Sequence, residues 1–341
     1  MALQGSGQIS FSQIENEFGQ NGERSLGDYR TSQSVGELSN LPLDTGIPTS
    51  GEIKFSDFYS KRLNHIVDLH SIGNNTSRQN AKDRWNNGNV HIVGSTKTGK
   101  TQPPDTIDDR VIINVNATIS SAKGTQTHCA LRTGTWDSNT TLEIEIGTSG
   151  KLYGSGGDGG AGGSANETPG TDGQTGSSAL AIQYPCTINN LGVIQSGYGG
   201  GGGGGGNTRT TGGGKKGGAT TNGSSGGGGG GGAGLPAGSA GGVSTPLSQG
   251  GGSAGSAGQA GSLSGQATGG AGGSEAGAGG DSSPVNNSAT KADNGTSPSG
   301  AAAGGTGGNN GYAIITNQGS APSLSGGGTL TGRTITSTNP T

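Results

Sequence analysis

Leu142, Ile144 and Ile146 alternate with Glu143 and Glu145, and the stretch Val111-Ile112-Ile113-Asn114-Val115-Asn116-Ala117-Thr118-Ile119 also runs with a period of two. That period puts one face of a strand in a core and the other in water. Strands are expected at His65–His70, Asn89–Gly94, Arg110–Ile119, Thr127–Arg132 and Thr140–Gly147. Pro103-Pro104, Gly124 and Asp137-Ser138-Asn139 separate them. Residues 63–150 therefore read as a small β-sandwich or stalk.

Before this lies a degenerate repeat. Gly7-Gln8-Ile9-Ser10-Phe11-Ser12-Gln13-Ile14 returns as Gly51-Glu52-Ile53-Lys54-Phe55-Ser56-Asp57-Phe58, with a related turn at Ser25-Leu26-Gly27-Asp28-Tyr29. Each unit predicts a short strand (Ile9/Phe11, Ile53/Phe55) leading into a short helix. Ser12 and Glu15 have capping-box spacing, and Gly19 can end the first helix. Residues 1–62 carry few apolar anchors, so their core is expected to be marginal alone and completed by neighbouring chains.

After residue 150 the pattern changes. Most of the 79 glycines lie there, with no Phe or Trp among them. Fixing a residue's backbone costs roughly 1–2 kcal/mol, and a hydrogen bond returns about 1 kcal/mol net. An ordered glycine segment therefore needs dense packing between main chains. Glycine is not at every third position and proline is scarce, which excludes collagen. The pure runs Gly199–Gly206 and Gly226–Gly232 suit the middle of a bundle of polyglycine type II helices, and looser Gly-Gly-x stretches suit its outside. Ala179–Pro185, Ile188–Ile194 and Tyr312–Ile315 read as strands that edge or cap the bundle. The fold class is thus mainly β in the first two modules, followed over residues 151–341 by a polyglycine II bundle or sandwich, with little α-helix. Polar loops at Asn207–Thr211, Lys215-Lys216, Thr220–Ser225, Leu235-Pro236-Ala237, Val243–Gln249, Asp281–Pro298 and Gln318–Ser325 separate the runs, and binding residues concentrate on such loops.

The net charge is −3 and neither half has a basic excess, which argues against nucleic-acid binding. No apolar stretch is long enough to span a membrane, and Met1-Ala2-Leu3-Gln4-Gly5 lacks the pattern of a secretory signal. Cys129 and Cys186 read as reduced buried thiols, with a disulfide as the alternative. Gly94-Ser95-Thr96-Lys97-Thr98-Gly99-Lys100-Thr101 fits the phosphate-loop pattern letter for letter. It lacks the helix this chemistry needs, because Gln102-Pro103-Pro104 follows; a polar hairpin loop is the better reading. Asp158, Asp172, Asp281 and Asp293 sit among glycines without the nine-residue repeat of a calcium roll. His65, His70, His91 and His128 show no ligand spacing, and His128-Cys129 are neighbours on opposite faces of a strand. No catalytic, metal or cofactor residues are therefore assigned. Tyr153, Tyr184, Tyr198 and Tyr312 read as packing residues, or as rings that stack on a ligand. Arg209, Lys215 and Lys216 form the basic cluster of the glycine half.

The run Thr133-Gly134-Thr135-Trp136-Asp137-Ser138, then Leu142–Ile146, then Lys151-Leu152-Tyr153-Gly154-Ser155-Gly156-Gly157-Asp158-Gly159-Gly160-Ala161-Gly162-Gly163, resembles glycine-rich receptor-binding and tail-tip proteins of tailed bacteriophages. So do Ile188–Tyr198 leading into Gly199–Gly206, and Gly311-Tyr312-Ala313-Ile314-Ile315-Thr316-Asn317. Residues 1–62 resemble N-terminal segments of structural proteins of marine phages and cyanophages. The resemblance implies a non-enzymatic virion protein: a tail fibre or adhesin made in the host cytoplasm and exposed on the particle. Its partners would be other virion proteins of tail or capsid and a host surface glycan or outer-membrane protein, and a homo-oligomer such as a trimer would suit a fibre. The alternative is a decoration fibre that binds no receptor. Candidate receptor contacts are Asn207, Arg209, Lys215, Lys216, Asn222 and Tyr198. Candidate virion-anchoring residues are Ile9, Phe11, Ile14, Ile53, Phe55, Phe58 and Tyr59.

Overall fold

The computed structural model describes residues 3–18, 25–30, 32–35, 38–42, 46–48, 50–61, 64–69, 76–87, 90–92, 110–164, 168–211, 220–224, 226–242, 304–317 and 322–336. Within these the chain is mostly strand, with few helices.

Parallel strands wind into five successive rungs, each giving one strand to each of three sheets. The first sheet holds Asn64–Asp68, Arg110–Val115, Thr141–Ile146, Cys186–Asn190 and Ser323–Ser325 in that spatial order, with Val90–Ile92 antiparallel on its outer edge. The second holds Thr76–Ser77, Thr118–Ser120, Lys151–Tyr153, Val193–Gln195 and Thr329–Thr331. The third holds Gln79–Asn80, Cys129–Arg132, Ser178–Ile182, Tyr312–Thr316 and Arg333–Thr336.

Register explains why these strands form a solenoid. Ile113, Ile144, Ile188 and Leu324 align across the first sheet. Ile119, Leu152, Ile194 and Leu330 align across the second, and Leu131, Leu180 and Ile314 across the third. The second, third and fourth rungs thus supply one aliphatic side chain per ladder to a shared interior, and each one fully buried contributes about 1.5–3 kcal/mol; Leu324 and Leu330 of the last rung are exposed. The glutamates of the alternating stretch lie on the outer face. Arg110 holds Glu143 with two bonds of 2.8 and 2.9 Å, and Asn189 donates to Glu145 across 2.7 Å, so neighbouring rungs are also clipped from outside. Burial raises the Glu145 carboxyl above its ordinary pKa. Helix α1 (Phe11–Phe18) belongs to the N-terminal module, and helix α2 (Ala81–Asn86) connects the first two rungs. The Asn80 side chain caps α2 by accepting from the amides of Lys82 and Asp83. Trp85 of α2 packs edge-on to Trp136, 5.2 Å between rings, inside the first rungs.

These ladders differ from the sandwich expected over residues 63–150. They cross residue 150 without a break, since Thr141–Ile146 pairs with Arg110–Val115 on one side and Cys186–Asn190 on the other. The alternation locates the strands, but each pairs with the strand one rung away rather than with its neighbour in sequence. Ser178–Ile182, Cys186–Asn190, Val193–Gln195 and Tyr312–Thr316 are likewise rungs of the solenoid rather than separate edges of the bundle.

The N-terminal module packs on the outer face of the first sheet. Ser10, Ser25 and Lys54 each donate a backbone N–H to a side chain three residues on: Gln13 at 2.8 Å, Asp28 at 2.8 Å and Asp57 at 2.7 Å. Each cap opens α1 or one of the single 3-10 turns Leu26–Arg30 and Phe55–Phe58, and each drives an apolar residue inward: Ile14, Tyr29 and Phe58. The first cap is therefore Ser10 with Gln13 rather than Ser12 with Glu15, because the helix already begins at Phe11. No strand forms at Ile9/Phe11 or Ile53/Phe55. Phe18, Tyr29 and Phe58 meet edge to face, with rings 5.7–6.2 Å apart. Ile66 and Ile112, on the outward face of the first two rungs, close this cluster. The expectation of a core completed by neighbouring chains is thus corrected: the same chain supplies the missing wall.

Candidate functional site: the free end of the glycine bundle

Two rungs are interrupted between their second and third strands. The excursion in the third rung runs from residue 154 to 177, and that in the fourth from 196 to 311. Together they contribute six glycine-rich runs among the described residues: 154–164, 168–177, 197–206, 226–233, 236–242 and 304–311.

Main-chain hydrogen bonds connect the runs with a period of three. Gly157, Gly160 and Gly163 donate to Tyr198, Gly201 and Gly204 at 2.7–2.8 Å. Gly200, Gly203 and Gly206 donate to Gln174, Thr171 and Thr168 at 2.9 Å, and accept nothing from that run. Tyr198, Gly201 and Gly204 donate in turn to Ala233, Gly230 and Gly227, while Gly305, Gly308 and Gly311 donate to Gly203, Gly200 and Gly197. The third run is therefore bonded to the first, second, fourth and sixth. The fourth run is bonded to the first, third and fifth. The bonding pattern is that of two staggered rows: the fifth, first and second runs in one, and the fourth, third and sixth in the other. The contacts are too close for any side chain. A Cβ on Gly203 would lie 1.9 Å from the Ala161 carbonyl oxygen, and one on Gly157 would lie 1.9 Å from that of Gln174.

Side chains of the mixed runs turn toward neighbouring amides. Asp158 accepts from the Ser239 N–H at 2.6 Å and from Lys123 Nζ at 2.6 Å. Asp172 accepts from the N–H and hydroxyl of Thr306 at 2.6 and 2.7 Å. Asn310 Oδ1 accepts from the Gly199 N–H at 2.8 Å. Burial by itself would raise the Asp158 carboxyl, but the bonds from Lys123 and Ser239 outweigh it and hold the group below the ordinary range. The two bonds from Thr306 do the same for Asp172. These two aspartates act as staples between runs. Among the described residues no group of three or more metal-ligating side chains gathers. Asp281 and Asp293 lie outside the described residues. The staples escape sequence reading because an Asp among glycines looks the same whether it faces an ion or an amide.

The bundle has a base and a free end. At the base, the first and third runs leave the second sheet and the second and sixth enter the third sheet, while Leu235 donates to the Gly154 carbonyl at the turn between the fourth and fifth runs. At the other end, Gly163, Thr168, Gly204, Gly206, Gly226 and Gly242 are joined across runs, and two further reversals flanked by described residues lie there. One is the turn from Ser164 to Thr168, whose hydroxyls are bonded. The second is an antiparallel ribbon, Asn207–Thr211 with Thr220–Ser224. Residues 243–303, between the fifth and sixth runs, lie outside the described residues.

This arrangement separates the candidate contact residues. Asn207, Arg209 and Asn222 fall on the ribbon at the free end, with Arg209 directly opposite Asn222. Lys215 and Lys216 lie outside the described residues, as does the phosphate-loop match at 94–101. Tyr198 is at the base, 9% exposed, with its amide bonded to Ala233. Burial raises its phenol pKa, and the residue is buried at the anchored end, away from the ribbon, which corrects its place among the contacts. Of the candidate anchoring residues, Ile9, Ile14 and Phe58 are buried within the chain's own core, so they are not free to grip a partner. Phe11, Ile53 and Tyr59 are partly covered, and Phe55 is exposed with its ring edge-on to Phe11 at 5.2 Å.

Compared with known protein families, the chain matches the model for phage tail fibre adhesin Gp38 over residues 79–335, from the first rung to the last. No curated protein and no solved structure matches it.

Proposed function

The chain belongs to the phage tail fibre adhesin family, and from that premise we propose that the free end of its glycine bundle is the surface that meets the host cell. The observation that carries this is topological. Among the described residues, the junctions with the solenoid lie at the base, while the Ser164–Thr168 reversal and the ribbon Asn207–Thr211/Thr220–Ser224 lie at the far end. Loops on a rigid scaffold are where binding residues concentrate.

The period-three bonding supports a reading of the runs as polyglycine II helices, the conformation with three residues per turn. Bonding between runs at every turn gives a stiff base for sequences that carry little stabilising energy themselves. The solenoid acts as the platform, and the N-terminal module attaches the assembly to other tail proteins through Phe55, Phe11, Ile53 and Tyr59. No bond is made or broken in this function. Affinity comes from several weak contacts engaged at once, because many copies on one particle raise the effective concentration without any new contact.

Competition tests the proposal. Purified folded chain, incubated with the bacterium that the virion infects, should occupy receptors and slow adsorption of the virion in proportion to its concentration. Folded chain that leaves adsorption unchanged at saturating concentration would overturn the proposal and favour a decoration role.

A further inference from the structure

The two ends of the solenoid are closed differently. At the first rung the chain covers itself: Val90–Ile92 pairs antiparallel with Asn64–Asp68, and Ala81 and Trp85 of α2 join the interior. At the last rung, Ser323–Ser325, Thr329–Thr331 and Arg333–Thr336 each form the outer edge of their sheet, and among the described residues no strand pairs with those edges. The interior columns reach this end unequally. The first and second finish in Leu324 and Leu330, which are 45% and 37% exposed. The third, after Leu131, Leu180 and Ile314, finishes in the smaller Thr334. Beside Thr334 lies a cavity of about 170 Å³, lined also by Ile314, Leu324, Leu330 and Ile335. Neither Ser323–Ser325 nor Thr329–Thr331 carries a charge, although charge on an edge strand is a common protection against pairing with another chain.

We propose that this last rung docks end to end on the last rung of a second copy of the chain, related by a two-fold axis perpendicular to the solenoid. Such an axis reverses strand direction at the joint, so the facing edges run antiparallel, as Val90–Ile92 already does at the first rung. An axis through the first sheet and the opposite corner lays Ser323-Leu324-Ser325 against itself, leucine to leucine. It lays Thr329–Thr331 against Arg333–Thr336, so each Leu330 enters the cavity beside the other copy's Thr334. A long column meets a short one twice, which makes the edge complementary to itself. The self-paired strand brings no like charges together. Each edge offers only three or four residues, about 10–13 Å of strand, so the joint falls at the weak end of specific interfaces and depends on concentration. A two-fold contact closes at two chains. The glycine runs leave the second sheet and enter the third, so both bundles emerge beside the axis and on the same side. Under the adhesin reading the pair is bivalent; the docking itself does not rest on that reading.

Sedimentation equilibrium of the full chain, from micromolar to millimolar concentration, tests the proposal. The parent should pass from monomer to dimer as concentration rises and go no further. Leu330→Asp should raise the dimer dissociation constant at least about tenfold, because a carboxylate would be buried without a partner. Thr334→Phe fills the cavity with the chain's own ring and should also weaken the dimer, although it makes the edge more apolar. Ser138→Asp, which adds the same charge at an exposed turn between the second and third rungs, should pair as the parent does. Should Leu330→Asp fail to fold, Leu330→Ser is the milder form of the same comparison. The proposal is overturned by a parent that stays monomeric throughout, by a folded Leu330→Asp chain that dimerises undiminished, or by equal loss in Ser138→Asp. It is also overturned if Thr334→Phe pairs more tightly, as a merely sticky surface would. If the parent stays monomeric and Leu330→Asp abolishes its capture of another tail protein, the edge belongs to that protein instead. A dimer that fails to slow adsorption of the virion would remove the adhesin reading and leave the pairing in place.

Discussion

Lys123 donates to Asp158 across 2.6 Å, and this contact ties a corner loop of the solenoid to the first glycine run. The same carboxylate oxygen accepts from the Ser239 amide in the fifth run, so one side chain joins three segments distant in sequence. The folded pKa of Asp158 lies below its ordinary 3.8. Its contribution to stability is therefore present above that value and disappears as pH falls through the lower, folded value. Asp158→Asn should destabilise the chain by about 1–2 kcal/mol at neutral pH, as expected for a charge-assisted bond. Urea unfolding of parent and variant should converge as pH drops below 3.8.

Gly203→Ala should be more damaging than its single methyl suggests. The new Cβ would meet the Ala161 carbonyl oxygen at 1.9 Å, and that oxygen is main chain with no rotamer to change. A loss of about 3 kcal/mol or more is expected, at or above the upper end for overpacking. Gly242→Ala, with nothing within 4 Å, is the control. Amide hydrogen exchange should show the glycine runs deprotected in the first variant and unchanged in the second.

Phe58→Ala tests whether the N-terminal module is complete within one chain. Phe58 is fully buried among Phe18, Tyr29 and the outward Ile66 and Ile112 of the solenoid. Its truncation should cost roughly 3–5 kcal/mol. The loss should be independent of protein concentration, whereas a core shared between chains would make it vary with concentration in thermal unfolding.

Both thiols should be inert in the native state. Burial pushes Cys129 and Cys186 up to about 12, and both are free. The thiolate is the reactive form, so iodoacetamide at pH 8 should label neither appreciably until the chain is unfolded. Mass spectrometry of the intact protein before and after denaturant reads this directly.

The strands were legible and the solenoid was not. Leu142–Ile146 shows its buried and exposed faces in the alternation itself, and the structure keeps both. What conceals the rungs is their unequal spacing. The second and third strands of a rung are separated by residues 121–128, then 154–177, then 196–311, so no fixed period exists for a repeat search to find. Tyr198 was misplaced for a related reason. Its setting beside a glycine run is visible in the sequence, but which end of that run is anchored depends on pairings with residues such as Ala233 and Ser177. Asn207, Arg209 and Asn222 were legible only as polar residues between two pure glycine runs; their place on a ribbon comes from pairing. That Arg209 faces Asn222 is a matter of register, which the threonine-rich flanks leave unstated.

The crosswise direction of the bonds between runs has a mechanical consequence. Were the far end to hold the host cell, as proposed, a bacterium drifting against a tethered particle would pull on the bundle along the axes of the runs. Bonds perpendicular to that axis are loaded in shear and share the force, instead of tearing one after another as in a peeled zipper. The first and third runs pass as continuous backbone into Tyr153 and Gln195, so tension reaches strands that are held on both sides by in-register ladders. A module nearly devoid of oily side chains can in this way remain intact under a tug that would extract a loosely packed one.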